Sequence, residues 1–357
     1  MWLANQAVGD GNFALKAMTR GMTRQEAAAL VREVQCSLAL GAAHVNVVRP
    51  HELLITSSHV LLATRLSSGG SLEAYVRRLP VAEPLARYFF RQVVAALQYC
   101  HSQDVSFRDL KLANILLDGH DPPWLQLCDF GVARRAPKKH YNTLVGTPGY
   151  ISPQVLGVAF DAAVSSYDGF AADVWSAGAC LFAMLSNGSL PFNFDRNFDR
   201  TVEEFGLNAA LRRAWRDEAS TPWHAGCKRS RFTADLGDLL DRLLEPDEGK
   251  RIDFSGARAH AWTAAHLADE YAAALSAQEQ EQAKLGHCDA ECHLHDTDEV
   301  IERSIMLATK LGAGRGVEAR VGLWPEECRK RAQTVRSNGE QGCSTTACGT
   351  YVANNIP

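Results

Sequence analysis

The segment Val105-Ser106-Phe107-Arg108-Asp109-Leu110-Lys111-Leu112-Ala113-Asn114-Ile115-Leu116-Leu117, followed by Leu127-Cys128-Asp129-Phe130-Gly131, gathers the residue types that phosphoryl transfer needs. That reaction requires an acid to orient the attacking hydroxyl, a cation beside the moving phosphoryl group, and oxygen ligands for the magnesium ions that neutralise a triphosphate. Asp109 is the candidate base, Lys111 the cation, and Asn114 and Asp129 the candidate magnesium ligands. Arg-Asp or Asp-Phe-Gly alone would pass for loop punctuation. Both together, in this order and at this spacing, point to one catalytic segment that works with ATP and Mg2+.

Such a segment needs a frame. Thr23-Arg24-Gln25-Glu26 is a capping box, in which the threonine accepts from the third helical amide while the glutamate reaches back to the cap. A helix is expected from there, with Ala27, Leu30, Val31, Val34 and Leu38 at helical spacing and Gly41 as its stop. Residues 44–48 and 60–63 read as short apolar strands, and 67–72 as a break. From Glu83 to Ser102, the pattern Ala86, Phe89, Phe90, Val93, Val94, Leu97 and Tyr99 makes a long helix whose aromatics are core. Residues 167–178 open a buried helix that runs on through Leu181, Phe182 and Leu185.

Composition narrows the classes. The 357 residues, 46% hydrophobic, can bury a large core and suggest two domains or one bilobal unit with a tail. A formal charge of -4 argues against a nucleic-acid partner. The ten cysteines lie mostly singly in apolar segments, as buried thiols do in a reducing compartment. Neither a basic-then-apolar start nor a bilayer-length apolar run is present, so a soluble intracellular protein without a membrane partner is expected.

Toward the C-terminus, residues 271–285 read as a polar helix or linker. His287, Cys288, Cys292, His293 and His295 cluster, but their spacing matches no common zinc site and only Cys328 stands nearby, so no metal is assigned there. Asp296 caps a further expected helix with the apolar stripe Val300, Ile301, Ile305, Ala308 and Leu311. Residues 317–357, rich in Gly, Ser and Thr, are expected to be disordered.

Taken together, these motifs resemble a serine/threonine protein kinase over roughly residues 7–264. Tyr99-Cys100-His101, Lys111-Leu112-Ala113-Asn114, Leu117-Asp118-Gly119 and Val145-Gly146-Thr147-Pro148 are similar to the plant and green-algal sucrose-non-fermenting-related kinases of the osmotic-stress and abscisic-acid type. The resemblance implies that Gly9 and Gly11 cover the ATP phosphates, that Lys16 contacts them and that Glu33 holds Lys16. It makes Thr64 the residue behind the adenine pocket, Arg65 and Leu66 the hinge, and Leu116 a further cofactor contact. Thr143 becomes the activating phosphosite facing Arg108, and Thr147 the brace for Asp109 and Lys111. Asp173 is expected to hold the catalytic-loop backbone. Gln154 stands where a glutamate is usual, so its ion pair with Arg251 becomes a neutral-to-charged hydrogen bond. Residues 297–311 would form a regulatory helix against the one bearing Glu33.

The expectation is an α+β, bilobal kinase-like fold. A truncated small β lobe (1–66) precedes a large helical lobe (67–264), a helical extension (265–316) and the tail (317–357). The glycines and Lys16 stand too close for the usual strand, turn and strand between them, so at most one of the two motifs is expected in its usual place, with Lys16 preferred as the strand lysine. The first two strands are expected to be missing, with a sheet edge open. Protein substrates, an upstream activating kinase or phosphatase, a role in stress signalling, and a cytoplasmic location extending to the nucleus follow from the resemblance. Two alternatives remain beside catalysis: a pseudokinase scaffold, and an incomplete gene model lacking residues between Phe13 and Ala14.

Overall fold

The computed structural model describes residues 2–6, 12–19, 22–40, 44–56, 58–136, 140–191, 231–285, 317–322 and 351–355. Gly9, Gly11, Gly41, the His/Cys cluster at 287–295, Cys328 and the expected helix 297–311 lie outside them. In chain order the first elements are β1 (Trp2–Gln6), β2 (Asn12–Thr19), α1 (Arg24–Ala39), β3 (Pro50–Thr56) and β4 (His59–Arg65). Then come β5 (Gly70–Ser71), α2 (Leu72–Arg78), α3 (Glu83–Ser102), β6 (Val105–Ser106), a 3-10 turn (Leu112–Asn114), β7 (Ile115–Leu117) and β8 (Leu125–Leu127). Next are β9 (Arg134–Arg135), β10 (His140–Tyr141), α4 (Pro153–Phe160), β11 (Tyr167–Asp168) and α5 (Gly169–Leu185). The last are α6 (Ala234–Leu243), α7 (Phe254–Ala259), α8 (Ala261–Ala264), α9 (Asp269–Leu285), β12 (Val317–Gly322) and β13 (Tyr351–Asn355).

Two compact units emerge, residues 1–68 with 277–357, and residues 69–276. Residues up to Ser276 group with the large unit and those from Ala277 with the small one.

The small unit holds a six-stranded antiparallel sheet in the order β12-β3-β4-β2-β1-β13. This corrects the expected absence of both first strands. β1 pairs with β2 from Trp2↔Leu15 to Asn5↔Asn12, so the strand bearing Lys16 also serves as the second strand of the hairpin with β1. Residues 7–11 suffice to join them, because hairpin connections of two to five residues are ordinary. The expected open edge is taken as well. β13 pairs along β1 and β12 along β3, so two pieces of the tail expected to be disordered are strands.

Alternation along β2 decides what Lys16 meets. Leu15 packs with Leu54, Leu61 and Ala63 on one face, while Met18, in phase with Lys16, packs on the other with Ala27, Leu30, Val31 and Val34 of α1. Lys16 therefore faces α1. That helix starts as its capping box requires: Thr23 N–H donates to Glu26 Oε2 at 2.6 Å, and Glu26 N–H to Thr23 Oγ1 at 3.2 Å.

In the large unit α3 buries Ala86, Phe89, Phe90, Val93, Val94 and Leu97, with Tyr88 and Cys100 in addition. Tyr99, expected in the core, is only half-buried, because the seam passes one residue later along the helix. α5 is buried along almost its whole length and its N-cap is Asp168, which accepts from Phe170 and Ala171 N–H. A Cβ on Gly178 would stand 2.8 Å from Leu243 Cβ, so a small residue there sets how closely α5 and α6 approach. No helix of the described residues is long and apolar enough to cross a membrane.

Candidate active site

The catalytic segment hangs from one buried carboxylate. Asp173, inside α5 and fully buried, accepts from the backbone N–H of Phe107 at 2.8 Å and of Arg108 at 2.7 Å, and bonds His101 Nε2 at 2.9 Å. A buried carboxylate is costly unless its oxygens are bonded, and here donors from two other segments do so. Arg108 adopts φ 68, a conformation a non-glycine residue holds only when its surroundings fix it. Asp173 thus supports the loop. It does not cap the helix.

On that support Asp109, Lys111, Asn114 and Thr147 converge. Lys111 Nζ lies 3.0 Å from Asp109 Oδ2 and 2.8 Å from Thr147 Oγ1, while the Thr147 hydroxyl donates to Asp109 Oδ1 at 2.6 Å. Asn114 Nδ2 donates to the Asp109 carbonyl at 2.9 Å and to Oδ2 at 3.1 Å. Both carboxylate oxygens are thereby fixed. Thr147 comes in on a turn made possible by Gly146 (φ +110), where a Cβ would run into Ile151 and approach the Arg108 carbonyl to 3.1 Å.

The β7–β8 pairing brings in Asp129. Ile115 stands opposite Leu127, Cys128 N–H donates to the Asn114 carbonyl at 3.0 Å, and Asp129 is the next residue, exposed and with φ 66. Phe107 and Phe130 meet edge to face, centroids 5.0 Å apart, and both are buried. The aromatic at 107 is part of the apolar packing under the loop.

Within the small unit, Lys16 Nζ is 3.0 and 2.8 Å from the two oxygens of Glu33. Glu33 is only 7% exposed, so its charge is tolerated because it is paired. Thr64 lies opposite Ala14 and its hydroxyl reaches the Ala14 carbonyl at 3.5 Å. Arg65 closes β4, Leu66 follows half-buried, and Leu116 is half-buried on β7 in the large unit.

Thr143 is exposed, and its hydroxyl accepts from Arg108 Nη2 at 2.6 Å. Arg251, 8% exposed, donates to Gln154 Oε1 at 2.9 Å and to the Ala171 carbonyl at 2.8 Å, and burial pulls its pKa down to about 10. Gln154 Nε2 also donates to the Pro246 carbonyl, a bond a glutamate could not make.

Three supports escaped the sequence reading. His101 stacks on Phe170 at 3.9 Å while bonding Asp173. Tyr141 bonds the Ser106 hydroxyl at 3.3 Å, and Tyr167 donates to the Thr143 carbonyl at 3.1 Å. Each joins residues at least 24 apart in the chain, and no local pattern announces such pairs.

The protein kinase domain family matches residues 3–263. The serine/threonine-protein kinase SAPK3 of Oryza sativa subsp. indica is 33% identical over 287 residues, covering 75% of this chain and 78% of its own length. SAPK1 of Oryza sativa subsp. japonica is 34% identical over 268 residues, covering 72% and 71%. SRK2B of Arabidopsis thaliana is 31% identical over 285 residues, covering 74% and 72%.

Proposed function

This chain belongs to the protein kinase family, and from that premise we propose that Asp109, Lys111, Asn114 and Asp129 carry the transfer of the ATP γ-phosphoryl group to protein hydroxyls. It is a serine/threonine protein kinase, as its relatives are named. The observation that carries the residue assignment is the triple contact among Asp109, Lys111 and Thr147. Asp109 orients the attacking hydroxyl and accepts its proton, and Lys111 offsets charge on the moving phosphoryl group.

The donor set fits Mg2+. Asn114 commits its amide nitrogen to Asp109, which leaves its oxygen for a hard cation, and Asp129 adds an exposed carboxylate. Magnesium ATP, when bound, supplies the phosphoryl group with its charge partly neutralised. Lys16, presented by Glu33, is assigned to the α and β phosphates, Gly9 and Gly11 to covering them, and Thr64, Leu66 and Leu116 to the base. The Lys16–Glu33 pair and the complete Asp109 cluster favour catalysis over a scaffold role.

Phosphorylation of Thr143 by an upstream kinase, reversed by a phosphatase, is the regulation assigned here. Arg108 already reaches that hydroxyl. Stress signalling in the cytoplasm and nucleus rests on the resemblance of the motifs quoted above. The test is transfer of labelled phosphate from ATP to a peptide array by the purified chain. Labelled serine or threonine peptides are expected, and none with the Asp109→Ala variant.

A further inference from the structure

Helix α1 delivers Glu33 to Lys16, and the turn that follows α1 is held from outside. Val45, Asn46 and Val47 of this turn are 6%, 1% and 9% exposed. Two of their amides are satisfied locally: Asn46 N–H donates to His44 Nδ1 at 3.2 Å and Val47 N–H to the His44 carbonyl at 3.1 Å. The Val45 N–H instead donates to Gln282 Oε1 at 2.9 Å, across 237 residues of chain.

Gln282 lies near the end of α9, beyond residue 263 where the kinase match stops. Gln278, one turn earlier on the same face, is buried to 5% exposure, in a helix whose only other buried residue is Leu285. A polar helix thus turns its glutamine edge inward at this turn.

We propose that Gln282 is a positioning residue for phosphoryl transfer, fixing the turn after α1 through the Val45 amide and so the helix that holds Glu33 against Lys16. This rests on the reading of Lys16 and Glu33 as the phosphate-anchoring pair. Gln282 acts through α1 and touches no reacting group. The role lies on described residues and is separate from the expected helix 297–311.

The test compares Gln282→Leu, which removes the acceptor, with Gln282→Glu, which keeps one, in the full chain. Gln282→Leu should raise KM for ATP about fivefold to tenfold, the size set by leaving one buried N–H unsatisfied. KM for the peptide should stay within about twofold, and Gln282→Glu should lie near the wild type in both. An unchanged KM for ATP in Gln282→Leu overturns the proposal, as does an equal loss in both variants. Amide hydrogen exchange over residues 33–47 gives a readout independent of activity, expected faster in Gln282→Leu alone. Unaltered exchange overturns the proposal even if the wild type transfers no phosphate, an outcome that would instead refute the catalytic assignment.

Discussion

Arg108 donates through Nη2 to the Thr143 hydroxyl at 2.6 Å, and its guanidinium lies 4.5 Å from the centre of the Tyr141 ring. Arg108 Nε is buried without an acceptor among the described residues. A phosphate on exposed Thr143 would bring oxygens to this cation, and charge-assisted bonds of this kind contribute roughly 1.5 to 3 kcal/mol each. Phosphatase treatment is therefore expected to lower peptide phosphorylation by about tenfold or more. Thr143→Ala should start low and ignore the phosphatase. Full activity in that variant would remove Thr143 from the mechanism.

Asp109 and Asp129 should separate in their effects. Replacing a positioned base costs about 10²- to 10⁴-fold in rate, so Asp109→Ala should lose transfer while still binding magnesium ATP. Asp129→Ala should lose both, as a metal ligand would. Titration calorimetry beside phosphate incorporation distinguishes the two, and equal undiminished incorporation by both variants would sink the assignment.

The contrast between these carboxylates and the small unit shows what was legible in the chain. Asp109, Lys111, Asn114 and Asp129 stand within one loop and one hairpin, so their spacing along the chain already encodes their spacing in space. The helix of Glu33 was equally readable, because a capping box and an apolar period are local signals. The sheet was not. Which strand lies beside β1 depends on residues 351–355, far away in sequence, and pairing at that distance leaves no local trace. Asp173 was expected to hold the loop backbone and does so, while Asp168 caps the helix.

Gln154 carries a prediction about stability. It accepts from buried Arg251 and donates to Pro246, so Gln154→Leu would remove a hydrogen bond to a charged group and is expected to cost roughly 1.5 to 3 kcal/mol, although Arg251 keeps the Glu245, Ala171 and Pro246 carbonyls. Gln154→Glu restores an ion pair but loses the bond to the Pro246 carbonyl and sets a carboxylate against it, which should hold the net change within about 1 kcal/mol. Urea unfolding of both variants measures this. A Gln154→Leu variant as stable as the parent would show the contact to be idle.

His44 makes a pH prediction. Burial lowers its pKa from 6.5 to about 4, so between those values the unfolded chain takes up a proton that the folded chain refuses. Stability should then fall as pH drops from 6.5 to 4, by roughly 3 kcal/mol at most, and this contribution should level off below that. His44→Asn keeps an acceptor for the Asn46 N–H and cannot titrate. The parent should lose more stability than the variant between pH 7 and 4.5 in urea titrations. Identical losses would show that His44 is not the source.

The tail strand β13 closes the edge of β1 that the short hairpin would otherwise leave bare, pairing from Trp2↔Asn355 to Gln6↔Tyr351. An exposed edge presents unpaired N–H and C=O groups to other copies of the chain. Removing residues 351–357 should therefore make the protein self-associate as its concentration rises. Val352→Pro in the full chain should do the same, because proline has no N–H and bends the strand out of register opposite Asn5. Light scattering across a dilution series reads the effect, with a surface substitution on α9 such as Lys284→Ala as the control. If truncation and Val352→Pro both leave the scattering mass unchanged, β13 does not protect that edge.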